Sequence, residues 1–480
     1  MTRLEHVQLR NLEHLLSTRQ HVQQELDLDY EVSVAHKRAA RYLVNARLDE
    51  RCSADGKVVG VQSRIALGPR GADGLDLREI LDGLVTNPEQ ADRVFAQDPL
   101  RALWQKVAEE IQNRLGFPLE PELFSNMLAV AFLGKSQDPV VANLIPPLLA
   151  TFAHSDVRGL YHFFTSLRFA CDVDCTGVAA RARILVGDID PTTEVGEKEL
   201  RQITQRILGS AAVTSVSSQS NESHGKKNGA LRRLVFKVYL DDHELQGSAL
   251  DRGLKNNPVV SINGLLPVLA EISWGLRSLD EVIPLKEYPA PDAAARTGEA
   301  TVREIIAANL SYVVGYFLSG EFRSGCRYYE SPDAFLCFFS DLLAHFPAIH
   351  ELFDVREALC TAIEERREVE ANGQVDDPQA PLNLALRAIA ASNMGLDPSY
   401  EWARLIAAQD PDGGFSRYSP LFALGTKHGP NLYFGSKEQT TAFALRAFSP
   451  RDPGRMNVGD DTFIPELATT IWNAAIKSPS

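Results

Sequence analysis

Two aspartates, Asp172 and Asp174, stand two residues apart in "CDVDCTG", between cysteines and at the head of an apolar, helical-looking run. One reading is structural: aspartate is favoured as a helix N-cap, and either residue would serve before the run that follows Thr176. The other is chemical. Protonating a carbon–carbon double bond needs a neutral carboxylic acid held away from water. Burial and a second carboxylate nearby both raise a carboxyl pKa and keep one proton on the pair. The cation so formed would be stabilised by aromatic walls through cation–π attraction. Tyr161, Phe163 and Phe164 lie just before the acids. Residue types alone leave both readings open.

The other chemistry-bearing residues are scattered. Cys52, Cys171, Cys175, Cys326, Cys337 and Cys360 form no C-x-x-C pair, so neither a zinc ribbon nor a disulfide framework is expected. His428 in "GTKHGP" reads as a loop histidine, without the paired cysteines that a zinc site would add. Lys226, Lys227, Arg232 and Arg233 read as a solvated basic loop, or as a contact for an anionic substrate group. Trp274 in "LAEISWGL" has apolar neighbours at helical spacing and reads as core or as cavity wall. Tyr328 and Tyr329 in "CRYYESPD" suit a pocket mouth or a helix cap equally.

The elements that must position these residues are overwhelmingly helical. "LEHVQLRNLEHLLSTRQHVQQEL" sets Leu4, Val7, Leu15, Val22 and Leu26 near one face. "DPLRALWQKVAEEIQNRL" starts a helix at Asp98-Pro99. "TVREIIAANLSYVVGYFL" and "SPDAFLCFFSDLLAHF" are apolar on more than one face, as helices inside a layered architecture must be. One segment departs: Ser210–Arg233 is rich in Ser, Asn and Gly, and "LVFKVYLDD" after it alternates like a strand. A loop with a short strand or hairpin is expected there, over about 209–240. Near the C-terminus Gln409, Gly413 and Phe415 form Q-x-x-x-G-x-F across a turn at Asp412-Gly413.

Composition narrows the class. With 49 Lys and Arg against 63 Asp and Glu, the formal net charge is −14, a poor match to nucleic acid or to an anionic membrane surface. The charged N-terminus and the lack of a long apolar run predict a soluble, cytoplasmic chain.

D-x-D-C-T at 172–176 resembles the D-x-D-D-T or D-x-D-T-T motif of the class II terpene cyclases, such as squalene–hopene cyclase and the copalyl and drimenyl diphosphate synthases. Gln409, Gly413 and Phe415 resemble that family's QW repeat, with phenylalanine in place of tryptophan. "NNPVVSINGLLPVL", "YYESPDAFL" and "NLYFGSKEQTTAFALRAF" resemble bacterial prenyltransferase and squalene-oxidase-type repeat segments, in family order from Tyr161 to Phe448.

The resemblance implies an all-α protein, an α/α toroid over 111–480 with the insertion at 209–240, preceded by a helical region over 1–110. It implies that Asp174 donates a proton to a linear isoprenoid and that Asp172 supports it. Cys175 takes the motif's fourth position, and Thr176 hydrogen-bonds within the motif. Trp274, Tyr328, Tyr433 and Phe434 are the candidate wall residues. "DDHEL" offers Asp241 and Asp242 but ends in Leu245, so D-D-x-x-D is missing and any diphosphate is expected to be retained. No protein ligand set for a metal is identified; magnesium would enter only as the bridge to a diphosphate substrate. Peripheral membrane contact and a homodimer stay open. So does a different class, a non-catalytic toroid that binds a lipid or a protein. The acids decide between these: they must face a closed apolar cavity if the chain is a cyclase.

Overall fold

The computed structural model describes residues 27–44, 64–67, 122–153, 159–164, 169–214, 233–240, 255–285, 298–371, 380–415, 420–424, 432–449 and 462–476. The expected helices over 4–26 and 98–115, the basic residues Lys226, Lys227 and Arg232, the "DDHEL" segment and His428 lie outside these residues.

The chain opens with α1 (27–44), β1 (Arg64–Leu67), α2 (Phe124–Leu133), α3 (Pro139–Ala142), α4 (Ile145–Ala153), α5 (Val173–Leu185) and α6 (Glu194–Leu208). There follow β2 (Ala211–Thr214), β3 (Arg233–Phe236), α7 (Pro258–Ser273), β4 (Val282–Leu285), β5 (Gly298–Thr301) and α8 (Val302–Leu318). Then come α9 (Pro332–His345), α10 (Ala348–Phe353), α11 (Arg356–Ala371), α12 (Pro381–Met394) and α13 (Ser399–Ala408). The last elements are β6 (Phe422–Leu424), β7 (Leu432–Gly435), α14 (Lys437–Ala447) and α15 (Ile464–Ile476).

Among the described residues α2, α5, α7, α9, α12 and α14 each pack on the next, and α14 returns to α2. The ring therefore closes. The alternate helices lie outside it: α4 on α2, α6 on α5 and α7, α8 on α7, α11 on α9 and α12, α13 on α12. This is the α/α toroid. Patterning explains the two layers. Every residue of α7 from Pro258 to Ser273 is buried, as a helix walled in on all sides requires. In α6 the buried set is a stripe that includes Leu200, Ile203, Ile207 and Leu208, and the opposite face is charged.

Polar groups close the seams. Across the ring junction Gln439 Nε2 donates to Ser125 Oγ at 2.9 Å. Asp333 takes a bidentate bond from Arg366 at 3.1 and 2.9 Å, and Glu401 accepts from Arg387 at 2.9 Å and from Arg367 at 2.7 Å, tying α9, α11, α12 and α13. Arg181 on α5 pairs with Asp341 on α9 at 2.5 Å inside the ring. A carboxylate shared among arginines satisfies charges that burial would otherwise make costly.

The turn after α13 follows the Gln409–Phe415 pattern. Gln409 Nε2 donates to Gly413 O at 2.8 Å and to Ala35 O of α1 at 2.9 Å. Gly413 has φ +97°, and a Cβ there would lie 2.4 Å from Arg38 O. The turn thus clamps α1 onto the toroid, and Tyr42 Oη adds a 2.7 Å bond to Glu438 on α14. Phe415 is buried beneath it. The small β insertion is an antiparallel β2–β3 pair with Ala211 opposite Phe236. Asn309 of α8 holds it, accepting from Phe236 N–H at 3.1 Å and donating to Leu234 O at 3.1 Å. In a second sheet β7 pairs with both β1 and β6, Phe434 opposite Ile65 and Phe422.

Candidate active site

Asp172 and Asp174 divide the two readings between them. Asp172 is the N-cap of α5: its backbone is extended (φ −135°, ψ 158°) and its Oδ1 accepts from Cys175 N–H at 2.6 Å. Asp174, in the first turn, lines a cavity that Asp172 and Cys175 also line.

The start of α5 is fixed from both sides. Asp172 N–H donates to Tyr161 O at 3.3 Å, Val173 N–H to Val238 O at 2.8 Å, and Leu240 N–H to Cys171 O at 2.8 Å. Thr176 Oγ1 accepts from Tyr161 N–H at 3.1 Å, so this threonine fastens segment 159–164 rather than facing the cavity. His162 Nδ1 lies 2.7 Å from Phe169 O, which can only accept, so Nδ1 carries the hydrogen and Nε2 accepts from Cys171 Sγ at 3.0 Å.

Two glycines set the distance between α5 and α7. A Cβ on Gly177 would lie 2.2 Å from Asn263 O, and one on Gly264 would lie 2.7 Å from Val173 Cγ1. This close approach brings Asn263 to Asp174, where Nδ2 donates to Oδ1 at 2.6 Å. From the turn before α9, Tyr329 Oη donates to Asp174 Oδ2 at 2.5 Å. What surface Asp174 leaves accessible meets the cavity interior, so desolvation governs it. Burial pushes its carboxyl up to about 6, and the bonds from Tyr329 and Asn263 pull the other way. Each oxygen has a second lone-pair position, so the proton can sit on either oxygen beside these donors. Burial first, then the charge of Asp174, holds the Tyr329 hydroxyl well above its ordinary range. Burial, then the carboxylates of Asp172 and Asp174, keep the Cys175 thiol protonated.

The rest of the wall is a belt of rings. Phe124 meets Phe422 at 5.5 Å between centroids, and Phe422 meets Phe163 at 5.1 Å, both edge-on. Phe163 leads to Phe169 at 6.4 Å, Phe169 to Tyr239 at 5.8 Å, and Tyr239 to Tyr328 at 6.5 Å. At the last step the hydroxyls of Tyr328 and Tyr239 lie 3.3 Å apart. Val238, Val260, Ala423 and Leu424 fill the remaining wall.

The expected wall residues divide. Tyr328 lines the cavity. Phe434 stands one ring behind, stacked on Phe422 at 5.3 Å. Tyr433 sits in β7 opposite Ala66 and Ala423 by register, and its side chain lies outside the described residues. Trp274 is not a wall residue: it is the C-cap of α7, whereas Val260 near the N-terminus of α7 lines the cavity. The rise of a helix puts the two roughly 20 Å apart. Asn263, Phe169, Tyr239 and Phe422 were not singled out from sequence, and Tyr329 was read as a pocket-mouth or helix-cap residue, not as a partner of the acid. Asn263 in "INGLL" carried a usable signal, a polar residue inside an all-apolar helix.

No protein-family model matches the chain. Among curated proteins it is similar to drimenol cyclase drtB from Aspergillus calidoustus, 28% identical over 144 residues, or 30% of this chain. That stretch spans a quarter of the relative's length, 25%. Among solved structures it is similar to a variant of the type II terpene cyclase MstE from Scytonema, with TM-score 0.46 and 11% identity over 89% of this chain and 99% of that one. A variant of the same cyclase in complex with geranylgeranyl dihydroxybenzoate as substrate gives TM-score 0.45 at 11% identity over the same shares. A protein from Actinoplanes gives TM-score 0.44 at 12% identity over 87% of this chain and 99% of that one.

Proposed function

We propose that this chain is a class II terpene cyclase, in which Asp174 starts the cyclisation of a linear isoprenoid by protonating its terminal alkene or epoxide. One observation carries the reading: a carboxyl pushed up to about 6 by burial faces an aromatic-walled cavity between two fixed donors. A scaffold that merely binds lipid has no use for such an acid.

The chemistry follows from the geometry. Burial pushes the carboxyl up to about 6, so the protonated, donating form is populated at and below that pH. As the proton leaves for carbon, the bonds from Tyr329 and Asn263 strengthen onto the carboxylate that forms, so they stabilise the transition state more than the ground state. The positive charge on the substrate then meets the faces of Phe169, Tyr239 and Phe163. Asp172 holds the acid in place by capping its helix.

The cavity beside Asp174 is bounded mainly by aromatic and aliphatic side chains, which suits a linear isoprenoid. The name of the curated relative, drimenol cyclase, points to the same substrate class. Among the described residues no group of three or more His, Cys, Asp or Glu is placed to hold a metal. The two cavity carboxylates are engaged with Cys175 N–H, Tyr329 and Asn263, and so do not fit a magnesium ligand set. Magnesium would come with a diphosphate substrate as its counter-ion. Among the described residues no helix is long and apolar enough to cross a membrane.

The test is a substrate panel. The protein is incubated with farnesyl, geranylgeranyl and longer prenyl diphosphates plus magnesium, and with squalene. Products are read by mass spectrometry after phosphatase treatment. A cyclic product from the shorter chains supports the reading; only linear alcohols from every diphosphate, and unchanged squalene, would refute it.

A further inference from the structure

We propose that Asp172 is the base that ends the reaction, taking the proton shed by the final carbocation and returning it to Asp174. The proposal rests on the cyclase reading above. Both residues line one cavity, two positions apart across the start of α5. Their surroundings set them to opposite tasks. Asp174 sits in the first turn between two side-chain donors, with its carboxyl pushed up by burial. Asp172 caps the helix, with Oδ1 fixed by Cys175 N–H at 2.6 Å, at the helix end that favours negative charge. A pair of acids divided in this way assigns the donor and the acceptor. Among the described wall residues the remainder are phenylalanines, tyrosines, aliphatic residues and the protonated thiol of Cys175, none of them a base.

The step balances without a co-reactant. A C–H bond beside the cationic carbon breaks, its electron pair forms the product alkene, and the proton joins an Asp172 carboxylate oxygen. Transfer of that proton to the Asp174 carboxylate restores the starting enzyme, so the net reaction is an isomerisation. The thiol of Cys175 hydrogen-bonds to Asp172 and lies in the field of both acids.

The experiment is turnover of farnesyl diphosphate in deuterium oxide by wild type and Asp172→Asn, with deuterium per product counted by mass spectrometry. Asparagine caps a helix as well as aspartate does, so Asp172→Asn keeps the fold and removes the base. Wild type is expected to give well under one deuterium per product, because protons from substrate are recycled. Asp172→Asn is expected to turn over about a hundredfold more slowly and to approach one deuterium per product. A wild-type product carrying one full deuterium overturns the recycling while leaving cyclisation intact. So does an Asp172→Asn enzyme with wild-type rate and labelling. No cyclic product from wild type at all overturns the parent reading, and the proposal with it.

Discussion

Tyr329 Oη donates to Asp174 Oδ2 at 2.5 Å, across 155 residues of sequence. A hydroxyl held protonated by burial beside a carboxyl pushed up to about 6 by burial makes one unit. Asp174 needs Tyr329 when it becomes a carboxylate. A hydrogen bond to a charged group contributes about 1.5–3 kcal/mol, and one pKa unit is about 1.4 kcal/mol. Tyr329→Phe should therefore raise the Asp174 pKa by about one unit or more and slow the protonation step. A pH–rate profile checks it. Activity of wild type should fall as pH rises through about 6, and the fall should move to higher pH in Tyr329→Phe. An unmoved profile would mean that the bond does not tune the acid.

The same burial makes Asp174 a stability liability. A folded-state value above the ordinary one means that the folded chain holds this proton more tightly than the unfolded chain does. The stability from it is present in full below the ordinary value of 3.8 and is lost as pH rises through about 6. A shift of about two units corresponds to at most roughly 3 kcal/mol. Asp174→Asn should therefore be more stable than wild type at pH 8, and the difference should shrink toward pH 4. Thermal melts across that range test it; equal melts at pH 8 would count against a buried, proton-holding carboxyl.

Gly177 sets the α5–α7 distance and, through it, the Asn263–Asp174 bond. Gly177→Ala forces a Cβ against backbone and should cost about 1–3 kcal/mol and lower turnover together. Gly315 on α8 is the control, since a Cβ there meets nothing within 4 Å. Gly315→Ala should stabilise by about 0.5–1 kcal/mol and leave turnover unchanged. Chemical denaturation with parallel assays separates the two.

Gln409 bonds its own turn and the carbonyl of Ala35, so Gln409→Ala should loosen α1 from the toroid. Limited proteolysis should then cut within 27–44 faster than in wild type, at a cost of about 0.5–1.5 kcal/mol for each hydrogen bond lost. Equal cleavage would show that Tyr42 and the packing of α1 suffice.

Much of the frame was legible in the sequence because helical periodicity and turn chemistry are local. The two-faced helices at 302–318 and 332–345, the strand after the Ser/Asn/Gly segment, and the Gln409–Phe415 turn all follow from neighbours in the chain. Asp172 shows the limit of that logic: its spacing suited an N-cap and an acid pair alike, and the capping bond from Cys175 N–H is what separates its place from that of Asp174. Tyr329 and Asn263 reach Asp174 from the turn before α9 and from α7, which meet it only when the ring closes, so no local pattern assigns them to the acid. Tyr328 and Tyr329 are adjacent and identical in type; both line the cavity, and only Tyr329 reaches the acid. Trp274 has the chemistry of a wall residue but sits at the wrong end of its helix, a distance that composition does not encode.

The most direct measurement compares wild type and Asp174→Asn on farnesyl diphosphate, with folding of both verified by circular dichroism. The account predicts a cyclic product from wild type and none from the folded variant, because an amide has no carboxyl proton to give. A cyclic product formed at a similar rate by Asp174→Asn would contradict it and leave the acid as part of a helix start.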